Sequence, residues 1–340
     1  MTASTHRDLS KLAALIVTFF VLLAACGGSG GGGGAGKKKI AFVPKLIGIP
    51  YFDAMQKGGA QAANDLGVEF LYQGPSTADS AKQIEVIDSL ITRHVDAIAV
   101  APDDPAAIAP ILQKAKNAGI KVFTSDTDAP DTVRQVWVNQ ALSDEIGNSI
   151  TDALASQMGG SGKWAIVSCG PTAQNLKAFA DAETKRASSK YPGMQQLGIK
   201  FAGEDQQQAV VVAKDLMTAN PDLKGLVGQC TTSAPGVAQA ITEMNKIGKV
   251  FGTGLGTPTV MAPFIKSGAE AKVVLWDPVK LGYLTVWAGL QLADGKSFQN
   301  DNEVSGGVGK VKYMGDQKML LLGPPITFSK DNIDQYAGKF

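Results

Sequence analysis

The side chains best suited to chemistry in this chain follow directly on short apolar runs. Lys45 comes after Ile40-Ala41-Phe42-Val43-Pro44, with Tyr51 and Phe52 close behind. The lysine supplies hydrogen-bond donors, and one of the aromatics an apolar face. The same residues also read as a solvated loop lysine beside a core aromatic. Thr124-Ser125-Asp126-Thr127-Asp128 brings carboxylates, each able to accept two charge-assisted bonds from adjacent hydroxyls. A helix cap or Asx turn before Pro130 is the competing reading there. Gln174 and Asn175, after Pro171-Thr172-Ala173, carry amides that both donate and accept, although Thr172 or Asn175 could equally cap a helix. Trp276 and Asp277 precede Pro278, a helix-starting residue, and Trp276 reads equally as core packing. Gln229 and Thr231 add further polar groups after another apolar run. Asp103-Asp104-Pro105 fits a helix N-terminus better than a binding loop. Donors, acceptors and aromatic faces in this mixture suit a small polyhydroxylated ligand.

Other chemistries are poorly supplied. The chain has two histidines, and His6 falls in the N-terminal segment read below as a signal, which leaves His94 alone. Metal sites and histidine-based nucleophilic catalysis are therefore not expected. Gly252-Thr253-Gly254-Leu255-Gly256 lacks the third glycine position of a dinucleotide fingerprint. It reads better as a turn that lets backbone approach a small ligand. No Walker loop, Gly-x-Ser-x-Gly elbow or His-Glu-x-x-His occurs, so neither a cofactor nor an enzymatic activity is expected. A formal net charge of +1 argues against nucleic acid or anionic lipid as a charge-driven partner.

The elements that must position these residues alternate regularly. Strands are expected at 40–44, 68–72, 97–100, 121–124 and 136–138, with helices near 51–66, 79–93 and 106–118. The pattern then restarts with strands at 164–168, 197–201, 225–228, 250–252 and 272–275 and helices between them. Strand–helix alternation implies parallel sheets covered on both faces, and two series imply two doubly wound α/β domains. Ligands of open parallel sheets sit at the carboxyl ends of the strands. The residues singled out above lie at those ends, so two facing domains would line one cleft with them.

The N-terminus carries a separate message. Arg7 and Lys11 lead into an apolar run at 12–25 that closes with Leu23-Ala24-Ala25-Cys26 and then Gly27-Gly28-Ser29. These are the parts of a secretory signal. About 14 apolar residues fall short of the roughly 20 a membrane span needs. Ending at Cys26 resembles the lipobox of bacterial lipoproteins, in which the cysteine is acylated. That implies a signal peptide over 1–25, a glycine-rich tether over 26–37 and an extracytoplasmic, membrane-anchored remainder. A flexible tether of that kind spans on the order of 18 Å.

Over about 38–340 the chain resembles the periplasmic binding proteins of ABC sugar importers, the ribose-binding-like class. The likeness is nearest to the rhamnose- and autoinducer-2-binding groups. It rests on Ala41-Phe42-Val43-Pro44-Lys45-Leu46-Ile47-Gly48, Tyr72-Gln73-Gly74-Pro75-Ser76, Val95-Asp96-Ala97-Ile98-Ala99-Val100, Thr253-Gly254-Leu255-Gly256-Thr257-Pro258, Leu275-Trp276-Asp277-Pro278 and Phe328-Ser329-Lys330-Asp331-Asn332-Ile333. The resemblance implies a non-catalytic receptor that closes by a hinge over one sugar, acting as a monomer with an ABC permease and its ATPase. It implies two Rossmann-like lobes, 38–139 plus 278–305 and 140–277 plus 306–340. Lys45, Asp126, Asp128, Gln174, Asn175, Gln229, Thr231 and Asp277 would then offer polar contacts, and Phe52 and Trp276 would pack on the ring.

Two identities of the autoinducer-2 group are replaced here, by Ala173 and by Gln229-Cys230-Thr231, which favours a neutral monosaccharide such as a deoxyhexose. An autoinducer-2 receptor and a sensor domain for a membrane signalling partner are the rival readings. The strand order of this fold also makes the ends of the strands before Cys169 and Cys230 neighbours. The two are either a disulfide flanking the cleft or reduced thiols lining its wall.

Overall fold

Lys39–Val43 (β1) forms a strand because four consecutive residues are buried on both faces, as a central parallel strand requires. In the computed structural model, which describes residues 1–2 and 36–340, β1 lies between Glu69–Tyr72 (β2) and Ala97–Val100 (β3), parallel to both. Lys121–Ser125 (β4) and Trp137–Asn139 (β5) continue this first sheet. Residues 37–340 make one compact unit. Of the expected signal and tether, residues 3–35, Cys26 among them, lie outside the described residues.

The second sheet has the order Gly193–Phe201 (β7), Ser161–Ser168 (β6), Leu223–Gly228 (β8) and Phe251–Gly254 (β9), all parallel. Lys272–Leu275 (β10) stands beside it through a Leu255–Val274 bridge and pairs antiparallel with Ile326–Ser329 (β14). Helices cover the sheets as the alternating pattern requires: α1 Pro50–Leu66, α2 Ser80–Thr92, α3 Pro105–Asn117, α4 Ser143–Met158, α5 Gln174–Lys190, α6 Gln206–Ala219, α7 Ser233–Glu243, α8 Pro258–Ser267 and α9 Pro278–Ala293. Asp79 and Asp104 cap α2 and α3 by accepting backbone N–H bonds, the role their spacing suggested for Asp104.

One boundary differs from expectation. Residues 306–340 were assigned with the second series, but Gly309–Met314 (β12) and Met319–Leu321 (β13) join the first sheet, beyond Asp301–Val304 (β11). The reason is burial: β13 pairs parallel to β5 and puts Met319 and Leu320 into the core. The strand is only three residues long, too short to show a periodicity.

Helices α1 and α9 touch backbone to backbone. A Cβ on Gly58 would run into the carbonyl of Val279, and one on Gly282 into that of Met55. This contact fixes α1 against α9, and the first turn of α1 borders the site described next.

Candidate functional site

The site is assembled at the carboxyl ends of both sheets. Lys45 leaves β1 one residue after Pro44 and is buried, with only 4% of its surface exposed. Pro50 opens α1 and places Tyr51 and Phe52 in its first turn, where both are buried. Asp126 follows β4 with φ 66°, a left-handed conformation that aspartate tolerates better than most residues. The turn is held by Asp126 N–H donating to the Val138 carbonyl at 3.1 Å. Asn175 comes from the first turn of α5, and Trp276 from the end of β10.

Lys45, Tyr51, Asp126, Asn175 and Trp276 form one hydrogen-bonded set. Tyr51 donates its phenol to Asp126 Oδ1 at 2.7 Å, and Trp276 Nε1 donates to the Tyr51 oxygen at 2.9 Å. Lys45 Nζ donates to Asn175 Oδ1 at 3.2 Å and lies 3.9 Å from Asp126 Oδ2. Asn175 Nδ2 reaches the same carboxylate oxygen at 3.4 Å. Burial, and then the adjacent Asp126 charge, push the Tyr51 pKa well up, so the phenol stays a neutral donor. A buried ammonium and a buried carboxylate are thus compensated by neutral polar groups from both sheets.

Apolar side chains complete the wall. Tyr51 and Trp276 meet edge to face at 5.9 Å between centroids, and Phe179 meets Trp276 at 6.4 Å. With Ile49, Phe52, Leu176 and Leu255 they enclose an inner cavity of about 40 Å³. That is room for a few waters. A larger chamber of about 630 Å³ adjoins it and shares Lys45 and Glu204 as lining. Its walls include Ser76, Thr77, Asp103 and Thr172. Burial pushes the Asp103 carboxyl up to about 7, with Lys45 opposing and Glu204 reinforcing the shift. Glu204 is also raised, by burial first, against the pull of Lys45.

Cys169 and Cys230 are joined by a disulfide, with Cα atoms 6.2 Å apart across the ends of β6 and β8. Cys230 lines the inner cavity and Cys169 the outer chamber.

Of the expected site residues, Lys45, Phe52, Asp126, Asn175, Thr231 and Trp276 come together around the inner cavity. Four do not. Asp128 is turned away into a buried ion pair, with Arg134 nitrogens 2.6 and 2.7 Å from its oxygens. Gln174 borders a separate groove, lined also by Asp128 and Arg134. Gln229 is buried behind the cavity, donating to Glu183 Oε1 at 3.3 Å. Asp277 caps α9 by accepting the Lys280 N–H at 3.0 Å. Strand alternation would put side chains two residues apart on one face; the left-handed turn at Asp126 breaks it and sends the carboxylates of Asp126 and Asp128 to different partners. Conversely, Phe179 and Glu204 were missed, and Tyr51 was noted only as an aromatic alternative to Phe52. Glu204 is the third residue after β7; the strand was expected at 197–201, but the residues that follow it were not among the candidates, because Ala202-Gly203 separates the carboxylate from the strand end.

Comparison with known proteins agrees with this architecture. A family described as the periplasmic binding protein domain matches residues 40–297. A solute-binding protein of an ABC transporter from Clostridium phytofermentas, solved with bound L-rhamnose, is similar at 30% identity and a TM-score of 0.84. That match covers 89% of this chain and 99% of the other. A Clostridium saccharobutylicum protein solved with AI-2 shares the fold at a TM-score of 0.83 and 24% identity, over 88% and 99% of the two chains. The D-ribose/D-allose-binding protein of Pseudomonas aeruginosa is 23% identical over 78% of this chain and 86% of its own length. Two parallel sheets whose carboxyl ends share one polar and aromatic cleft, together with these likenesses, identify the chain as a member of the periplasmic binding protein family, among the solute-binding proteins of ABC transporters.

Proposed function

We propose that this protein is a lipid-anchored extracytoplasmic receptor that binds a neutral monosaccharide in the inner cavity and delivers it to an ABC permease. The observation that carries the reading is the joint set of Lys45, Tyr51, Asp126 and Asn175 beside Phe52, Phe179 and Trp276. Sugar hydroxyls need donors and acceptors in close order, and the C–H faces of the ring need aromatic surface. The polar groups now satisfy one another, so a sugar exchanges those bonds for its own hydroxyls. The ring is larger than the 40 Å³ cavity, and the ends of the two sheets part to admit it, by hinge motion of the two lobes. Acylation of Cys26 and the glycine tether would keep the receptor within reach of its permease.

The relatives bind rhamnose, ribose, allose or AI-2 according to their names, and a deoxyhexose of the rhamnose type fits this chain's departures from the AI-2 group best. Ala173 offers no polar atom, and Gln229 is spent on Glu183. A thermal-shift panel of L-rhamnose, D-ribose, D-allose, D-xylose and AI-2 tests this. At roughly 100 times its Kd, a ligand stabilises by about 2.7 kcal/mol. A shift with rhamnose above all others is expected. A shift with AI-2 alone would reassign the ligand, and a flat panel would overturn the sugar reading.

A further inference from the structure

The carboxyl ends of three neighbouring strands bring together side chains that the ligand reading leaves unused. Cys169 follows β6, Cys230 follows β8 and Glu204 follows β7, and these strands are adjacent in the order β7, β6, β8. The two sulfurs and a Glu204 carboxylate oxygen lie within 4.8 Å of one another. Among the described residues this is the one such group of three histidine, cysteine or acidic side chains. Thr232 joins them, its hydroxyl 3.2 Å from Cys169 Sγ and 3.3 Å from Glu204 Oε2.

We propose that the Cys169–Cys230 bridge is the oxidised form of a metal site: once reduced, Cys169, Cys230 and Glu204 bind one thiophilic divalent cation of the zinc type. Two thiolates and a carboxylate are a ligand set that zinc accepts, with Zn–S near ~2.3 Å and the sulfurs then about 3.8 Å apart in a tetrahedron. Cysteines whose Cα atoms are 6.2 Å apart reach that separation by side-chain rotation, without strand movement. The fourth position faces the cleft, because Glu204 lines both chambers while the cysteines line one each. Thr232 supports the carboxylate from outside the ligand set.

The chemistry balances with a phosphine or dithiol as reductant. Two electrons and two protons convert the disulfide to two thiols: a phosphine gives the electrons and becomes phosphine oxide, with water supplying the oxygen and both protons, whereas a dithiol gives electrons and protons together and becomes a disulfide. The cation then displaces both thiol protons to solvent. The site does not depend on which solute the cleft carries.

The test uses the whole chain with Cys26→Ser, so that the two remaining thiols are these. Cadmium serves as the probe, through its thiolate charge-transfer absorption. The oxidised protein is expected to show no band. After phosphine reduction, with two thiols confirmed by titration, the band should saturate at one equivalent. Glu204→Gln should weaken that binding by at least the roughly 10–100-fold that losing an outer-shell partner costs. Two free thiols with no band would overturn the proposal. Equal affinity in Glu204→Gln would overturn it as well, since the metal would then be held by thiols alone, as it would be in a chain unfolded by reduction.

Discussion

Tyr51 and Asp126 stand 75 residues apart in sequence, yet the phenol of one donates to the carboxylate of the other at 2.7 Å. The bond joins the first turn of α1 to the end of β4, and Trp276 Nε1 extends it from beyond β10. Two strand ends and the start of a helix are therefore linked through one phenol. Tyr51→Phe removes that link without changing the ring. It should destabilise the protein by about 1.5–3 kcal/mol, the range for a hydrogen bond to a charged group, read from the urea midpoint. An unchanged midpoint would mean that Asp126 finds another donor.

Asp126 and Asp128 make a paired test of site against scaffold. Asp126→Ala should abolish the ligand-induced thermal shift, because the carboxylate lies in the cavity wall. Asp128→Ala should leave the ligand affinity intact while costing about 3–5 kcal/mol of stability, since Arg134 would remain buried without its partner. Calorimetric titration of both variants decides the matter. Equal losses of affinity would erase the distinction.

Glu183 gives a pH dependence of definite sign. Burial raises its pKa from 4.5 to about 8, with the Gln229 bond opposing. Between those values the folded state keeps a proton that the unfolded state has lost. The folded state thus binds more protons, and stability falls as pH rises from about 4.5 to 8. Glu183→Gln removes this contribution. Its urea midpoint, relative to wild type, should rise steadily across that window, and a constant difference would count against the burial argument.

Gly282→Ala probes the contact between α1 and α9. The added methyl meets the Met55 carbonyl, so the helices must separate. Overpacking of this kind costs about 1–3 kcal/mol. Because Tyr51 and Phe52 ride on α1, ligand affinity should fall together with the thermal midpoint. A variant that loses stability but binds normally would show that the cleft does not depend on this helix pair.

Much of the architecture was legible in the chain. Buried runs such as Ile40-Ala41-Phe42-Val43 and Ala97-Ile98-Ala99-Val100 carry their own strand signal, because a strand covered on both faces needs apolar residues throughout. Helix starts at Pro105 and Pro278 were equally plain, since proline suits the first helical position. Strand ends then mark candidate site residues, which is how Lys45, Asp126, Asn175 and Trp276 could be picked out. Short β13 gave no comparable signal, and with it went the assignment of 306–321; β7 was expected at 197–201, yet Glu204, three residues beyond its end, was not picked out.

What the sequence alone determined, then, is the alternation of elements and the set of residues at their carboxyl ends. Only the tertiary structure decided which of those side chains face one another. Direction at a strand end depends on one or two backbone angles and on partners distant in sequence. Asp126 meets Tyr51 because its φ is 66° and α1 is pressed against α9, whereas Asp128, two residues on, meets Arg134. Neither outcome is encoded in residue type or spacing, because both depend on packing between segments far apart in the chain.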